Sequence, residues 1–162
     1  MKTIILYANR NVGLAALCYL KAKGYDVMVI TEDENVEWMA RRFGIPVLPN
    51  IGYIKKISFD LCLCVHGKKI IPKECLVENK MVNIHPCLYK YKGHNPIKRY
   101  IFGQDTDATI EAQWLIEEVD GGDVIWRENF KTPICNNYAD FYNVALIYYY
   151  KCLEQTLKIL GI

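Results

Sequence analysis

The chain opens on an apolar run, Thr3 to Ala8, rich in β-branched residues, followed by the polar turn Asn9 to Gly13. From Leu14 to Gly24 the pattern changes. Leu14, Leu17, Cys18 and Lys21 recur at helical spacing, and Gly24 is placed to end the helix. Tyr25 to Thr31 reads as a second buried strand. Asp33 to Gly44 reads as a helix with acids in its first turn and Arg41 and Arg42 in its last, the polarity that a helix dipole favours. Ile45 to Pro49 is a short extended piece, and Phe59 to Gly67 is a third buried strand. Strand, helix, strand, helix, strand predicts βαβ units, a Rossmann-like α/β fold with a mainly parallel sheet flanked by helices.

The second half keeps that logic and then departs from it. Ile70 to Leu76 suggests a short helix opened by Pro72. Lys80 to Pro86 is a fourth strand, stopped by its proline. Asn95 to Gly103 predicts a helix with Asn95 as cap, Pro96 first and Gly103 beyond its end. Ala108 to Ile116 alternates enough for a half-buried strand. Val119 to Gly122 is a turn and Asp123 to Phe130 returns, so the pair predicts a β-hairpin. Phe141, Val144, Tyr148, Cys152, Leu153, Leu157 and Leu160 form one apolar stripe on a long C-terminal helix. Three consecutive tyrosines, Tyr148 to Tyr150, cannot share one helix face, so at least one ring is expected to be exposed, as at an interface.

Composition narrows the class. The 162 residues fit a single domain over 1–162, and 52% hydrophobic with 23% charged residues is a globular balance. A net charge of +2 gives no reason to expect nucleic acid. Seven cysteines without a CxxC pair fit a reducing cytoplasm and give no metal site. No run approaches the roughly 18 apolar residues of a membrane span, and the N-terminal apolar run is too short for a secretory signal. The first turn has too few glycines for a dinucleotide fingerprint.

Candidate chemistry gathers at strand ends, where open α/β sheets bind ligands. His66 and Gly67 follow one strand, Asn83 and His85 end the next, and Asp120 follows a third. Singly, each has an ordinary reading: a satisfied histidine, a loop amide, an Asp-Gly turn. The combination is more specific. Asn83-x-His85-Pro86-x-Leu88, then Tyr91-x-Gly93-x-x-Pro96, then Val119-Asp120-x-Gly122-Asp123-Val124-Ile125 resembles the formyltransferase superfamily that uses N10-formyltetrahydrofolate. That superfamily includes glycinamide ribonucleotide, methionyl-tRNA and sugar N-formyltransferases. The resemblance runs from the first strand to the last helix.

The resemblance implies a catalytic trio of Asn83, His85 and Asp120. An amine attacking a formyl carbon needs a donor for the developing oxyanion and a group to remove a proton. Asn83 and His85 suit the first task and Asp120 assists the second, with the base itself left open between His85 and Asp120. The family's folate-binding backbone falls on His66, Gly67, Lys68, Lys69, Ile70 and Ile71, and on Ile116, Glu117, Glu118 and Val119. Lys68 or Lys69 is a candidate for the folate glutamate tail. Arg10, Tyr89, Tyr91, Lys92, Gly93 and Gln113 are expected on the acceptor side. The chain departs from the family in three places. Gln113 stands where many members have a histidine, Asn9 to Gly13 lacks a Gly-Ser-Asn phosphate loop, and Leu88-Tyr89-Lys90 replaces the common Leu-Leu-Pro. With no tRNA-binding domain expected after the last helix, a small amine is left as acceptor, a nucleotide-linked amino sugar first. Glycinamide ribonucleotide, hydrolysis of the folate, and folate binding without turnover are the alternatives. Dimers are common in the family, so a homodimer is a further expectation.

Overall fold

The structure, a computed structural model, describes residues 2–86, 88–93 and 95–162; Cys87 and His94, spacer positions of the motif pieces, lie outside them. Six strands are hydrogen-bonded in one sheet. They are β1 (Thr3–Ala8), β2 (Asp26–Ile30), β3 (Leu61–Val65), β4 (Met81–Pro86), β5 (Asp107–Trp114) and β6 (Val124–Lys131), in the order β2-β1-β3-β4-β5-β6. β1 pairs in parallel with β2 and β3, and β5 pairs antiparallel with β6. The helices are α1 (Arg10–Ala22), α2 (Glu34–Arg42), α3 (Leu88–Tyr91), α4 (Pro96–Phe102) and α5 (Tyr138–Ile159). The fold is thus the expected mainly parallel sheet with flanking helices, an antiparallel hairpin and a long C-terminal helix.

The chain divides into two compact units, Met1–Asn83 with Ile162, and Ile84–Gly161. In the first, Ile4, Ile5 and Leu6 of β1 are fully buried, as a continuous apolar run must be when both strand faces are covered. The strand enters α1 earlier than its pattern predicts: Arg10 to Gly13, expected as a turn, forms the first helical turn. Gly13 permits this, since a Cβ there would stand 2.8 Å from that of Ala8. Asn9 is fully buried and joins three strand ends. Its Nδ2 donates to the His66 carbonyl at 3.1 Å, and its Oδ1 accepts from Glu32 N at 2.9 Å and Thr31 Oγ1 at 3.3 Å. Ile51–Lys56 is a 3-10 helix that the pattern did not suggest, and Ile70 to Leu76 yields only a 3-10 turn, Lys73–Cys75, with Pro72 before it.

In the second unit, α5 packs on β5 and β6. Its buried residues include Phe141, Cys152, Leu153 and Leu157 of the expected stripe, together with Ala145, Tyr149 and Thr156. The exposed tyrosine ring is not found: Tyr149 is buried, Tyr148 and Tyr150 are half-buried, and Tyr148 stacks on Phe130 with centroids 4.0 Å apart. Tyr100, fully buried on α4, meets Phe141 edge-on and hydrogen-bonds Thr132 Oγ1 at 2.7 Å. α4 runs from Pro96 to Phe102, with Asn95 before it and Gly103 after it as expected, but the detail at both ends differs. Asn95 makes no side-chain cap bond and adopts φ 51°, and the left-handed residue after the helix is Gln104 (φ 51°), whereas Gly103 has φ −74°. Gly103 is needed for room instead, because a Cβ there would lie 2.8 Å from the Tyr91 hydroxyl.

Candidate active site

β4 is buried on both faces, and Asn83 and His85, two residues apart, point to the same side. The His85 ring is half-buried, with Nδ1 3.0 Å from the Pro86 carbonyl oxygen. A carbonyl only accepts, so Nδ1 carries the proton and Nε2 of the neutral ring presents a lone pair. Burial lowers the His85 pKa from its usual 6.5; the Asp120 charge opposes this most, followed by the Pro86 hydrogen bond and the Glu111 charge.

Asp120 sits in the β5–β6 turn with φ 54°, a conformation that Asp tolerates better than most residues. Its Oδ2 accepts from Gly93 N at 2.7 Å, and its Oδ1 accepts from Gln113 Nε2 at 3.2 Å. Gln113 is buried on β5 where the hairpin register shifts between Ala112 and Gln113. The extra residue is Ile125 on β6, so Gln113 keeps its place on the Glu111 face of β5. The residue in place of the family's usual histidine therefore holds the aspartate directly. Gly122 lets the turn close, since a Cβ there would fall 1.8 Å from the Trp114 carbonyl oxygen.

The segment between β4 and α4 is braced along its length. Glu111 Oε1 accepts from Tyr89 N at 3.2 Å. Tyr89 Oη donates to the Asp107 carbonyl at 2.8 Å. Tyr91 Oη donates to Asp105, which Lys90 also meets at 2.7 Å. Arg99 donates to the carbonyls of Tyr91 and Lys92, at 2.8 and 2.6 Å. Lys90 first and Tyr91 second hold the Asp105 carboxyl below its ordinary range. Tyr91 and Gly93 thus brace the loop, while Tyr89 and Lys92 keep exposed side chains.

Of the remaining expected residues, Arg10 and His66 to Ile71 lie in the first unit and Ile116 to Val119 in the second. His66 adopts φ 60°, and Gly67 fits where a Cβ would stand 2.6 Å from Cys64 Sγ. Lys68 Nζ donates to the Glu32 carbonyl at 3.2 Å, Lys69 N to Tyr7 Oη at 3.1 Å, and Lys69 Nζ lies 3.6 Å from Glu32 Oε1. Burial first, with Glu32 nearby, pushes the Tyr7 pKa up to about 12. Ile71 is buried and Ile70 is 78% exposed. Arg10 N donates to Asp33 Oδ2 at 3.0 Å. Burial raises the Asp33 pKa, but the amides of Arg10, Val36 and Asn35 outweigh it and hold the carboxyl low. A carboxylate thus already occupies the α1 N-terminus, beside Arg10, which was expected on the acceptor side. In the second unit Ile116, Glu117, Glu118 and Val119 are all exposed. Glu111 and its partner Arg127 escaped the sequence reading. The signal was present as a charge in the otherwise apolar Ala108 to Ala112 run, in phase with Gln113.

Among the described residues, no group of three or more His, Cys, Asp or Glu side chains converges as a metal site would. No helix among them is long and apolar enough to cross a membrane.

Residues 48–140 match the family model described as formyl transferase. The methionyl-tRNA formyltransferase of Borrelia turicatae is 30% identical over 146 residues, covering 85% of this chain and 47% of that protein. The chain therefore spans about half the length of the curated relatives it matches. Among solved structures, glycinamide ribonucleotide transformylase 1 of Geobacillus kaustophilus superposes with a TM-score of 0.83 at 17% identity, over 99% of this chain and 98% of that one. An N-formyltransferase of Helicobacter canadensis, in complex with folinic acid and dTDP-3-aminofucose, superposes with a TM-score of 0.81 at 19% identity, over 99% of this chain and 64% of that one.

Proposed function

Since the chain belongs to the formyl transferase family, we propose that it moves a formyl group from N10-formyltetrahydrofolate to the primary amine of a small acceptor, a nucleotide-linked amino sugar. The observation that carries this reading is the Asp120 carboxylate, held by Gln113 and by Gly93 N and acting electrostatically on a neutral His85.

The residues divide the work as follows. As the amine attacks, negative charge grows on the formyl oxygen, and the Asn83 amide donates to it; one such preorganised donor is worth about 2.7–4 kcal/mol. The His85 Nε2 lone pair takes a proton from the attacking nitrogen, the ring offers that N–H to the oxyanion, and the proton then passes to N10 of the folate as the C–N10 bond breaks, the carbonyl re-forms and tetrahydrofolate leaves. Asp120 stabilises the imidazolium that forms. Gln113 does not titrate, so it orients Asp120 without exchanging protons with it. Segments 66–71, exposed at Gly67 to Ile70, and 116–119, exposed throughout, each fit the folate by backbone groups and by the apolar Ile70, Ile116 and Val119. The Asp33 carboxylate at the α1 N-terminus disfavours a phosphomonoester there. The exposed Tyr89 ring and Lys92 suit a base and a diphosphate. A second acceptor, the amine of an aminoacyl-tRNA, is favoured by the names of the curated relatives.

Tetrahydrofolate release, followed by absorbance, tests the reading. The samples contain N10-formyltetrahydrofolate with a dTDP-linked amino sugar, methionyl-tRNA, glycinamide ribonucleotide, or no acceptor. Release that requires the amino sugar supports the proposal. Release with another amine reassigns the acceptor, and release in buffer alone makes water the acceptor. No release in any sample overturns the proposal.

A further inference from the structure

On the buried polar face of β5, Glu111 has no role in the reaction as derived above. It is 2% exposed and lies between Thr109 and Gln113, both also buried. Its Oε1 accepts from Thr109 Oγ1 at 3.1 Å and from Tyr89 N at 3.2 Å, and its Oε2 lies 3.1 Å from the Arg127 guanidinium. Arg127 is the residue directly opposite Glu111 in the β5–β6 register. A carboxylate that deeply buried is retained only with such partners. Two residues farther along the same face, Gln113 holds Asp120, and Asp120 holds Gly93 N. The 88–93 segment is therefore fastened at its start by one carboxylate and at its end by the other.

We infer that Glu111 is a positioning residue of the reaction: with Arg127 as its counter-charge, it anchors the start of the 88–93 segment, so that the Gly93–Asp120 contact and the placing of Asp120 against His85 depend on it. This rests on the formyl-transfer reading for its kinetic consequence, but not for the anchor itself. Glu111 also acts on His85 as a second negative charge after Asp120, and Arg99 is the positive charge opposing both.

The test is Glu111→Gln in the full chain. Glutamine retains an acceptor for Tyr89 N but turns an N–H donor toward Arg127, or the reverse. The expected result has three parts. Turnover falls on the order of 10–100-fold, the range for a small displacement in a reacting constellation, while KM for the folate changes less than about twofold. Gly93 and Tyr89 amide exchange, read by NMR, accelerates. The His85 ring titration moves to lower pH, because a negative charge beside it has gone. If a folded Glu111→Gln protein keeps wild-type amide exchange and His85 titration, the inference is overturned. Should that variant fail to fold, Thr109→Val, which keeps the Glu111 charge but removes one of its hydrogen bonds, decides by the exchange of the Tyr89 and Gly93 amides, with a smaller acceleration expected and wild-type exchange overturning the inference. If the wild-type chain transfers no formyl group, the proposed function fails, and the two NMR readouts alone decide whether the anchor exists.

Discussion

His85 is where burial and charge oppose each other. The folded state favours the neutral ring, and the unfolded chain takes up a proton more readily below the usual 6.5. This contribution to stability is complete above about pH 6.5 and is lost as pH falls through the lowered folded value. His85→Gln is expected to flatten the acid side of the stability profile, measured by urea unfolding from about pH 7 down to about pH 5. In the same window kcat/KM of the wild-type chain should rise with pH and level off by about pH 6.5, since the neutral ring is the working form. Asn83→Ala should lower kcat about 10²–10³-fold with little change in folate affinity measured by titration. Gln113→Glu replaces a donor to Asp120 with a like charge, so the acidic limb of the rate profile should move to higher pH.

At the scale of elements, the hairpin is the most exposed to a single change. Gly122→Ala places a methyl group against the Trp114 carbonyl. It should lower unfolding free energy by at least about 2 kcal/mol, read by chemical denaturation, because backbone rather than a flexible side chain must yield. The strands and long helices were legible in the sequence, since β1, β3 and α5 announce themselves by run length and period. Helix termini were not. Arg10 joins α1 despite a left-handed φ, and Asn95, left-handed as asparagine readily is, makes no side-chain cap bond to α4. The proposed trio of Asn83, His85 and Asp120 was legible as a motif, and the contacts around it only partly so. Gln113 was visible as a departure, but its bond to Asp120 depends on how the β5–β6 turn folds back onto β5, which the pattern does not show. Glu111 was hidden because its partner Arg127 belongs to the opposite strand.

Across the whole molecule, each unit has its own buried aromatic or aliphatic centre, Leu6 and Leu63 in one and Tyr100 and Phe141 in the other. Phe141→Ala should cost about 3–5 kcal/mol, seen as a lower urea midpoint with an unchanged slope. Six non-glycine residues among those described have left-handed backbone: Arg10, His66, Asn79, Asn95, Gln104 and Asp120. Arg10 and His66 follow strands of the first unit, and Asp120 follows β5 in the second. A non-glycine residue gives up about 1–2 kcal/mol in that conformation. Abundance and catalysis therefore pull in opposite directions there. In a saturation library scored separately for cellular protein level and for turnover, glycine and asparagine at position 120 should rank among the best-tolerated for level and among the worst for turnover. That mismatch would separate a residue kept for its chemistry from one kept for its shape.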